Sequence, residues 1–472
     1  MLVNFDVLTY LMSITEERTD VSSLMRTCRT LYSAGIPSLL NFDIDFDVWE
    51  RFAAFCSFMD VDAPGRSRFL RRMTLYMHHL TRARRTRTLG HILRILQHAS
   101  QLHELSIETN DEEQRFDPLD PHLIEALSGL TSIKDLTVSM VTEDTAKVLQ
   151  SFQSPAAKVY LFFEDDWSSS EFSHLDPIFI LKQFGPSLRR LEVLFPAFSQ
   201  VLRHGIQYPH LTELEISHIS PLLALDPLIY SFPNLRILRF SEMDTFGWDD
   251  IEGEEVTRRA NLLSQSQRHW ESLDCVSADP VCLYLMGLNC KVHHLQLELS
   301  VEPWASRFAN VDCIEETLSL TRPTRLDIAI CSFPHETGFF QMQLYRAADY
   351  LTHLHITVEF RGGEGEDDVS GAINNVIAAL PQLTCMTHFS IQLCYYGDLD
   401  ILPSSLLLLD RENIATRAME VAAPAIQYIV VNVYKDPMNL RSVWQVTRKD
   451  GDANSLNMLT CEAAQKVSSE FW

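Results

Sequence analysis

The sequence feature that most constrains the fold is a phrase that occurs twice, at positions 208 and 232. Residues 208–216 read YPHLTELEI, and residues 232–240 read FPNLRILRF. In both copies an aromatic–proline pair ends the preceding element, and apolar residues then follow as L-x-x-L-x-φ, where φ is any apolar residue. The last two apolar positions alternate with other residues, as they do on one face of a short strand. A phrase that returns after some twenty residues predicts a chain built from stacked units.

Weaker copies of the phrase run through most of the chain, so that roughly a dozen strands are predicted. In the copy that follows the second strong one, Trp270, Leu273 and Cys275 are predicted to take the three apolar positions. Between the strands, aspartate–proline pairs predict helix starts, because an N-cap acid before a proline is a typical first turn. These pairs begin at Asp120, Asp176, Asp226 and Asp279. Strands that alternate with helices predict a parallel sheet.

This pattern resembles a leucine-rich-repeat protein with irregular repeats. The resemblance implies an α/β solenoid, a curved parallel sheet with outer helices, over residues 66–440. A doubly wound α/β enzyme would also alternate strands and helices, but it would not repeat the phrase so often. Residues 441–472 are predicted to form a last strand and a capping helix that covers the open end of the sheet. Apolar residues expected on one side of that helix are Leu456, Leu459, Ala463, Val467 and Phe471.

The N-terminal residues 1–41 predict short amphipathic helices, and residues 42–65 predict a linker helix. The strings VNFDVL at 3–8 and DVSSLMRTCRTL at 20–31 resemble the F-box, with Asn4 where that motif usually has proline. The whole architecture resembles an F-box/leucine-rich-repeat protein of the fungal type. The resemblance implies docking on the adaptor of a cullin–RING ubiquitin ligase through Asn4, Val7, Leu8, Leu11, Leu24, Cys28 and Leu31. Alternatively, these helices cap the N-terminal end of the repeats.

Composition limits the classes of partner and the compartment. The formal net charge of −24 argues against non-specific binding to nucleic acid or to anionic membranes, and it favours neutral or basic partners. Ten cysteines lie scattered without a C-x-x-C pair, which indicates reduced thiols in a cytoplasmic or nuclear protein. The N-terminus lacks the pattern of a signal peptide, and no apolar run is long enough to span a bilayer.

Side chains that alternate with the inward apolar residues are expected on the concave face of the solenoid, where a target protein would bind. The predicted set is Glu104, Ser106, Asp135, Thr137, Arg190, Glu192, Glu213, Glu215, Arg239, Asp274, Gln296, Asp327, His353, His355, His388 and Ser390. Acidic segments at 108–113, 164–166, 242–255 and 364–368 form either an acidic rim for a basic partner or simply solvated loops. Nine arginines between Arg66 and Arg94 either contact an acidic partner or pair with the acidic residues 111–120.

Motifs for chemistry are absent from the sequence. There is no G-x-S-x-G, no phosphate-binding loop and no H-E-x-x-H, so no catalytic residue and no cofactor are predicted. His353, His355 and His388 could approach one another as zinc ligands, but polar residues are expected on this face in any case. The leading hypothesis is therefore a substrate receptor of a cullin-based ubiquitin ligase. The alternatives are a free-standing interaction scaffold and an enzyme whose site is assembled from scattered residues.

Overall fold

A computed structural model describes most of the chain. The described residues are 4–84, 88–108, 119–163, 175–196, 198, 205–219, 223–243, 251–298, 311–331, 349–360, 369–395, 406, 408–434, 442–447 and 455–471. They divide into two compact units, one of residues 1–217 with 230–234, and one of residues 218–229 with 235–472. No helix among these residues has both the length and the apolar character needed to cross a bilayer.

The first unit begins with three helices, α1 (Phe5–Ile14), α2 (Arg18–Met25) and α3 (Arg29–Asn41). They enclose a small core of their own, which is built from Met12, Val21, Met25 and Leu31. Further half-buried apolar side chains surround that core, so helices too short to be stable alone bury their apolar faces against one another. Helices are therefore confirmed within residues 5–41, but Cys28 and Leu31 do not share one helix with Val21 and Leu24, as their spacing predicts, because α2 ends at Met25 and α3 begins at Arg29.

The rest of the first unit alternates strands and helices. After β1 (Asp43–Ile44) come α4 (Trp49–Asp60) and α5 (Ala63–Ser67), and then the strands β2 (Arg72–Tyr76), β3 (Glu104–Glu108), β4 (Asp135–Val138), β5 (Lys158–Phe162), β6 (Arg190–Leu194) and β7 (Glu213–Ile219). The intervening helices are α6 (Met77–Arg84), α7 (Thr88–His98), α8 (Pro121–Ser128), α9 (Glu143–Ser151) and α10 (Pro177–Ile180). Strands β1–β7 pair in chain order, and every pair is parallel.

The second unit continues the alternation with longer strands. These are β8 (Ile237–Met243), β9 (Ser272–Ala278), β10 (Lys291–Glu298), β11 (Arg325–Cys331), β12 (His353–Phe360), β13 (His388–Tyr395), β14 (Tyr428–Val433), β15 (Ser442–Thr447) and β16 (Ser455–Met458). The helices are α11 (Leu225–Ser231), which extends into residues 230–234 of the first unit, α12 (Ile251–Gln265), α13 (Pro280–Met286), α14 (Val311–Thr321), α15 (Val369–Ala379), α16 (Arg411–Val421) and α17 (Cys461–Phe471). Strands β8–β14 pair in parallel, whereas β15 and β16 run antiparallel to their neighbours.

The register stacks the apolar residues of the repeated phrase into continuous layers. In the second unit Leu295, Leu326, Leu354 and Phe389 are direct partners on successive strands, and each is fully buried. This layer faces the helices of the unit, which supplies the hydrophobic contact that the parallel sheet requires. The residues that alternate with this layer lie on the other side of the sheet and are mostly half-exposed on β3–β11; for the described residues of β2–β12 we call this side the helix-free face. The α/β class and the mostly parallel sheet are thus confirmed.

A ladder of threonine hydroxyl groups joins the starts of three strands. The Thr324 hydroxyl donates to the backbone carbonyl of His293 at 2.8 Å, Thr352 donates to the carbonyl of Thr324 at 2.9 Å, and Thr387 donates to that of Thr352 at 3.0 Å. Each bond satisfies a backbone acceptor at the point where a strand begins. The ladder therefore holds each strand at a fixed offset from the strand before it.

Three of the predicted helix starts are confirmed and one is wrong. Asp120, Asp176 and Asp279 each accept a hydrogen bond from a backbone N–H of the first turn, directly before a proline at the first helical position. Asp226 instead lies inside the first turn of α11, because that helix already begins at Leu225. Leu225 is therefore the first residue of α11, and Asp226 does not lie at the N-cap position.

The C-terminal prediction is confirmed for the helix but wrong in its details. Leu456 lies in β16 and Leu459 lies between β16 and the helix, which begins at Cys461. Val467 of that helix packs against Val430 of β14 and Val443 of β15. These two valines belong to the same row of the sheet as Ser390, so beyond β13 this side of the sheet is covered by the C-terminal helix.

Candidate protein-interaction sites

Helix α1 presents a strip of large apolar side chains to solvent. Val7, Tyr10, Leu11 and Ile14 are between 42% and 64% exposed, and their spacing of three, four and seven residues places them on one side of the helix. We call these four residues the α1 strip. The opposite side of the helix supplies Met12 to the core of the three helices. Because that core is already complete, the α1 strip contacts no described part of the core.

The structure separates the seven residues implied by the F-box resemblance into three groups. Asn4, Val7 and Leu11 are exposed, and the Asn4 side chain accepts a hydrogen bond from the Asp6 N–H at 3.0 Å as the cap of α1. Three others are half-buried against the core of the helices, namely Leu8, Leu24 and Cys28. Leu31 is only 2% exposed, so its prediction as a contact residue is corrected to a core position.

On the helix-free face of the first unit, one arginine lies among three glutamates. Arg190 of β6 lies 3.4 Å from Glu192, 3.8 Å from Glu213 and 3.3 Å from Glu215. Because three carboxylates share a single guanidinium group, this cluster keeps an excess of negative charge. Burial, followed by the charges of Glu192 and Glu215, raises the pKa of the neighbouring Tyr160.

The strands before β6 carry opposite charges in matching positions. Arg72 lies 3.6 Å from Glu104, and Lys158 lies 3.7 Å from Asp135, each pair across neighbouring strands. All four side chains are more than two-fifths exposed, so each pair contributes little to stability. The acidic excess of this face is therefore concentrated at β6 and β7.

The arginine island is only partly described, and its described members have partners close in the structure. The Arg94 guanidinium donates to Asp60 at 2.6 Å, and Arg66 donates to the carbonyl of Phe58 and stacks over the Phe58 ring. The proposed partners of the island at 111–118 lie outside the described residues, as do the acidic segments at 109–113, 164–166, 244–250 and 364–368. The prediction of an acidic rim therefore stays a prediction.

On the helix-free face of the second unit, Asp274 is not where the sequence pattern placed it. Val276 and Ala278 of β9 take the inward positions opposite Leu295 and Leu297, so the phrase begins three residues later than predicted. Asp274 consequently lies at the start of the strand, where it pairs with Arg236 at 2.5 Å. Cys275, predicted to point inward, belongs to the helix-free face.

The predicted residues of β10 and β11 are half-exposed on this face, as is Arg239 of β8. Asp327 accepts a hydrogen bond from Nε2 of His294 at 2.9 Å, a histidine that the sequence prediction left out. Gln296 lies in register with Asp327, beside this pair. A charged pair on neighbouring strands was not detectable from sequence, because the two residues are 33 positions apart.

The histidines of β12 and β13 form a stack and not an open polar surface. The rings of His353 and His388 lie 4.1 Å apart at 11°, and the Tyr428 ring stacks on His388 at 5.0 Å. Burial, followed by the charges of His388 and Arg325, lowers the pKa of His353 to about 4. Against prediction, His355, His388 and Ser390 are buried. Tyr428 also packs in the cluster around Val467, which explains why the side chains at this end of the face are buried.

This stacking does not suit the zinc site considered from the sequence for His353, His355 and His388. Parallel rings in face-to-face contact direct their nitrogen atoms side by side, whereas zinc ligands converge on one point. Within the described ranges, no group of three or more His, Cys, Asp or Glu side chains has an arrangement that could hold a metal ion. The histidines therefore serve the packing between strands.

Comparisons with known proteins leave the site to be interpreted from its geometry. No protein-family model matches the chain. No curated protein matches it either.

Proposed function

We propose that this protein is the substrate receptor of a cullin–RING ubiquitin ligase, with an F-box-like helical segment and an irregular leucine-rich-repeat array. In this role α1–α3 bind the adaptor subunit, and through it a cullin, while the helix-free face binds a target protein. The chain then performs no chemistry on the target and acts by holding it.

The α1 strip is the observation that carries the proposal. Four large apolar side chains on one side of a helix are costly to leave in water, and a surface of this kind marks a site for another protein. The strip also includes Val7 and Leu11, two of the positions that the F-box resemblance assigns to the adaptor. Sequence resemblance and surface chemistry thus agree on the same helix.

The proposed binding of a target protein is supported by the helix-free face of the first unit. Glu192, Glu213 and Glu215 outnumber the single Arg190 that pairs with them. A surface with excess carboxylates attracts a basic partner and speeds its association, particularly at low salt. A target with a lysine- or arginine-rich segment is therefore the chemistry that this face fits.

Binding of the full-length chain to purified adaptor subunit tests the proposal. We expect the intact chain to bind and the variant Leu11→Asp to lose affinity by about thirtyfold or more, since burial of a leucine is worth about 2 kcal/mol. Val61→Asp is the matched control, because Val61 is also an exposed apolar residue but lies outside the α1 strip. Leu31 is unsuitable for this test because a charge there would disrupt the helical core.

A second candidate function is a free-standing interaction scaffold. It is favoured by the helical core, because Leu24, Cys28 and Leu31 already pack within the chain and need no adaptor to cover them. The same experiment separates the two functions. An intact, folded chain that fails to bind the adaptor would remove the ligase proposal and leave the scaffold.

A further inference from the structure

Three strands of the second unit bring a cysteine, a histidine and an aspartate together on the helix-free face. Cys275 of β9 is the direct strand partner of His294 of β10. Nε2 of His294 lies 2.9 Å from Oδ2 of Asp327 on β11. The His294 and Asp327 side chains are 19% and 18% exposed, and Cys275 is half-buried, so the cluster is sheltered but still reachable from solvent.

The cluster places a thiol, an imidazole and a carboxylate in sequence, the arrangement in which a histidine activates a nucleophile. A carboxylate that binds one ring nitrogen of a histidine fixes the ring, so that the other nitrogen can serve a thiol. Cys275 and His294 are direct partners on neighbouring strands and face the same side of the sheet, so the thiol lies beside the imidazole ring. Burial lowers the pKa of His294, but the hydrogen bonds to Asp327 and Cys275 and their charges outweigh it and raise that pKa to about 9.

The charged surroundings define which reagent the cluster would favour. Arg325 of β11 is the strand partner of His294 on the side away from Cys275. His353, the partner of Arg325 on β12, is kept neutral at physiological pH by its lowered pKa of about 4. Asp274 is paired with Arg236 at the start of the strand. The imidazolium of His294 is the charged group directly beside Cys275, and Arg325 follows it in the same row, so an anionic reagent is favoured over a cationic one.

We propose that Cys275, His294 and Asp327 form a reactive-thiol site that undergoes exchange with an anionic low-molecular-weight disulfide. This site goes beyond the proposed receptor function, since it adds covalent chemistry to a face proposed to hold the target. Cys275 is the nucleophile, His294 handles the proton, and Asp327 is a positioning residue that acts through His294.

The exchange is balanced without any further oxidant. The Cys275 sulfur attacks one sulfur of the disulfide, so that a new S–S bond forms as the old one breaks. Cys275 is oxidised to a mixed disulfide, and the departing half of the reagent is reduced to a thiol. The thiol proton of Cys275 is released to solvent, and the protonated His294 stabilises the thiolate that remains. The departing sulfur takes a proton from His294, which regains one from solvent.

Exchange of the full-length chain with glutathione disulfide, read by peptide-resolved mass spectrometry at pH 7.4, tests the proposal. Cys385 is the internal control, because it is an exposed cysteine of the same chain without this arrangement of partners. In the wild-type protein we expect Cys275 to react at least about tenfold faster than Cys385, although it is less exposed. His294→Gln should slow Cys275 by at least about tenfold and leave Cys385 unchanged.

Three further variants separate positioning and charge from general damage to the fold. Asp327→Asn should slow Cys275, and Asp327→Glu should restore part of the rate, which a merely structural role would not predict. With Arg325→Gln, the preference for glutathione disulfide over the cationic disulfide cystamine should fall. A wild-type Cys275 that reacts no faster than Cys385 would overturn the proposal without any variant, as would an unchanged Cys275 rate in folded His294→Gln.

Discussion

Replacement of Asp327 by asparagine should change the protonation of His294 at neutral pH. The carboxylate of Asp327 is the strongest of the groups that oppose the effect of burial on this imidazole. An asparagine of the same shape keeps a polar atom near Nε2 but removes the negative charge. The effect of burial is then opposed only by Cys275 among the groups that raise this pKa, and we expect the pKa of His294 to fall from about 9 towards its ordinary value of 6.5.

The size of the effect follows from the linkage between protonation and folding. A pKa of about 9 in the folded chain and 6.5 in the unfolded chain correspond to about 3 kcal/mol, at 1.36 kcal/mol per pKa unit. Because the folded pKa is the higher one, this stabilisation is fully present below pH 6.5. It is lost as the pH rises through about 9. Asp327→Asn should therefore destabilise the protein most at pH 6 and least at pH 10.

Two measurements check this prediction. NMR of the protein with 13C-labelled histidine follows each ring through a pH titration, and His294→Gln identifies the signal. Denaturant unfolding of the wild-type and Asp327→Asn chains at pH 6 and pH 10 measures the stability difference. Asp274→Asn is the control, because its ion pair with Arg236 is well exposed and its loss should cost less than about 1 kcal/mol. A wild-type His294 that titrates near pH 6.5 would refute the reasoning.

Three further predictions concern stability, each measured by thermal or denaturant unfolding. Leu354→Ala should destabilise the chain by about 2–5 kcal/mol, because Leu354 is fully buried, and Leu354→Met should cost much less. Thr352→Ala should cost about 1 kcal/mol through its lost bond to the carbonyl of Thr324, whereas Thr352→Ser should keep most of that bond. Gly287→Ala should cost at least about 1 kcal/mol, since φ is +54° and a Cβ would lie 2.8 Å from Leu262. Gly90→Ala should not destabilise, because its Cβ would meet only the Arg94 side chain, at an ordinary contact distance of 3.9 Å.

The repeated phrase predicted most strands and their inward residues, but it failed where two readings overlap. Trp270, Leu273 and Cys275 fit the phrase, and so do Leu273, Val276 and Ala278. Pairing with β10 selects the second reading, because Val276 then meets Leu295 in the leucine layer. Local periodicity does not contain that information. The wrong choice turned Cys275 inward, away from its strand partner His294.

Burial on the helix-free face was the second failure, and its cause is long-range contact. Alternation correctly assigned His388 to the face opposite the leucines, but it could not show that Tyr428 stacks on the ring. Tyr428 in turn packs in the cluster of Val467, a residue 79 positions from His388. The apolar spacing of the N-terminal helices was ambiguous in the same way, because Leu31 suits a core and a contact surface equally well.

The reversal of direction at β15 determines how a chain of this kind can grow. Up to β14 each new strand adds to its neighbour in the same direction, so one more unit could in principle be appended. The antiparallel β15 and the short β16 offer no parallel template, and a four-residue outer strand is a poor platform for another chain. A duplicated repeat would therefore fit between parallel neighbours within a unit but not beside β16.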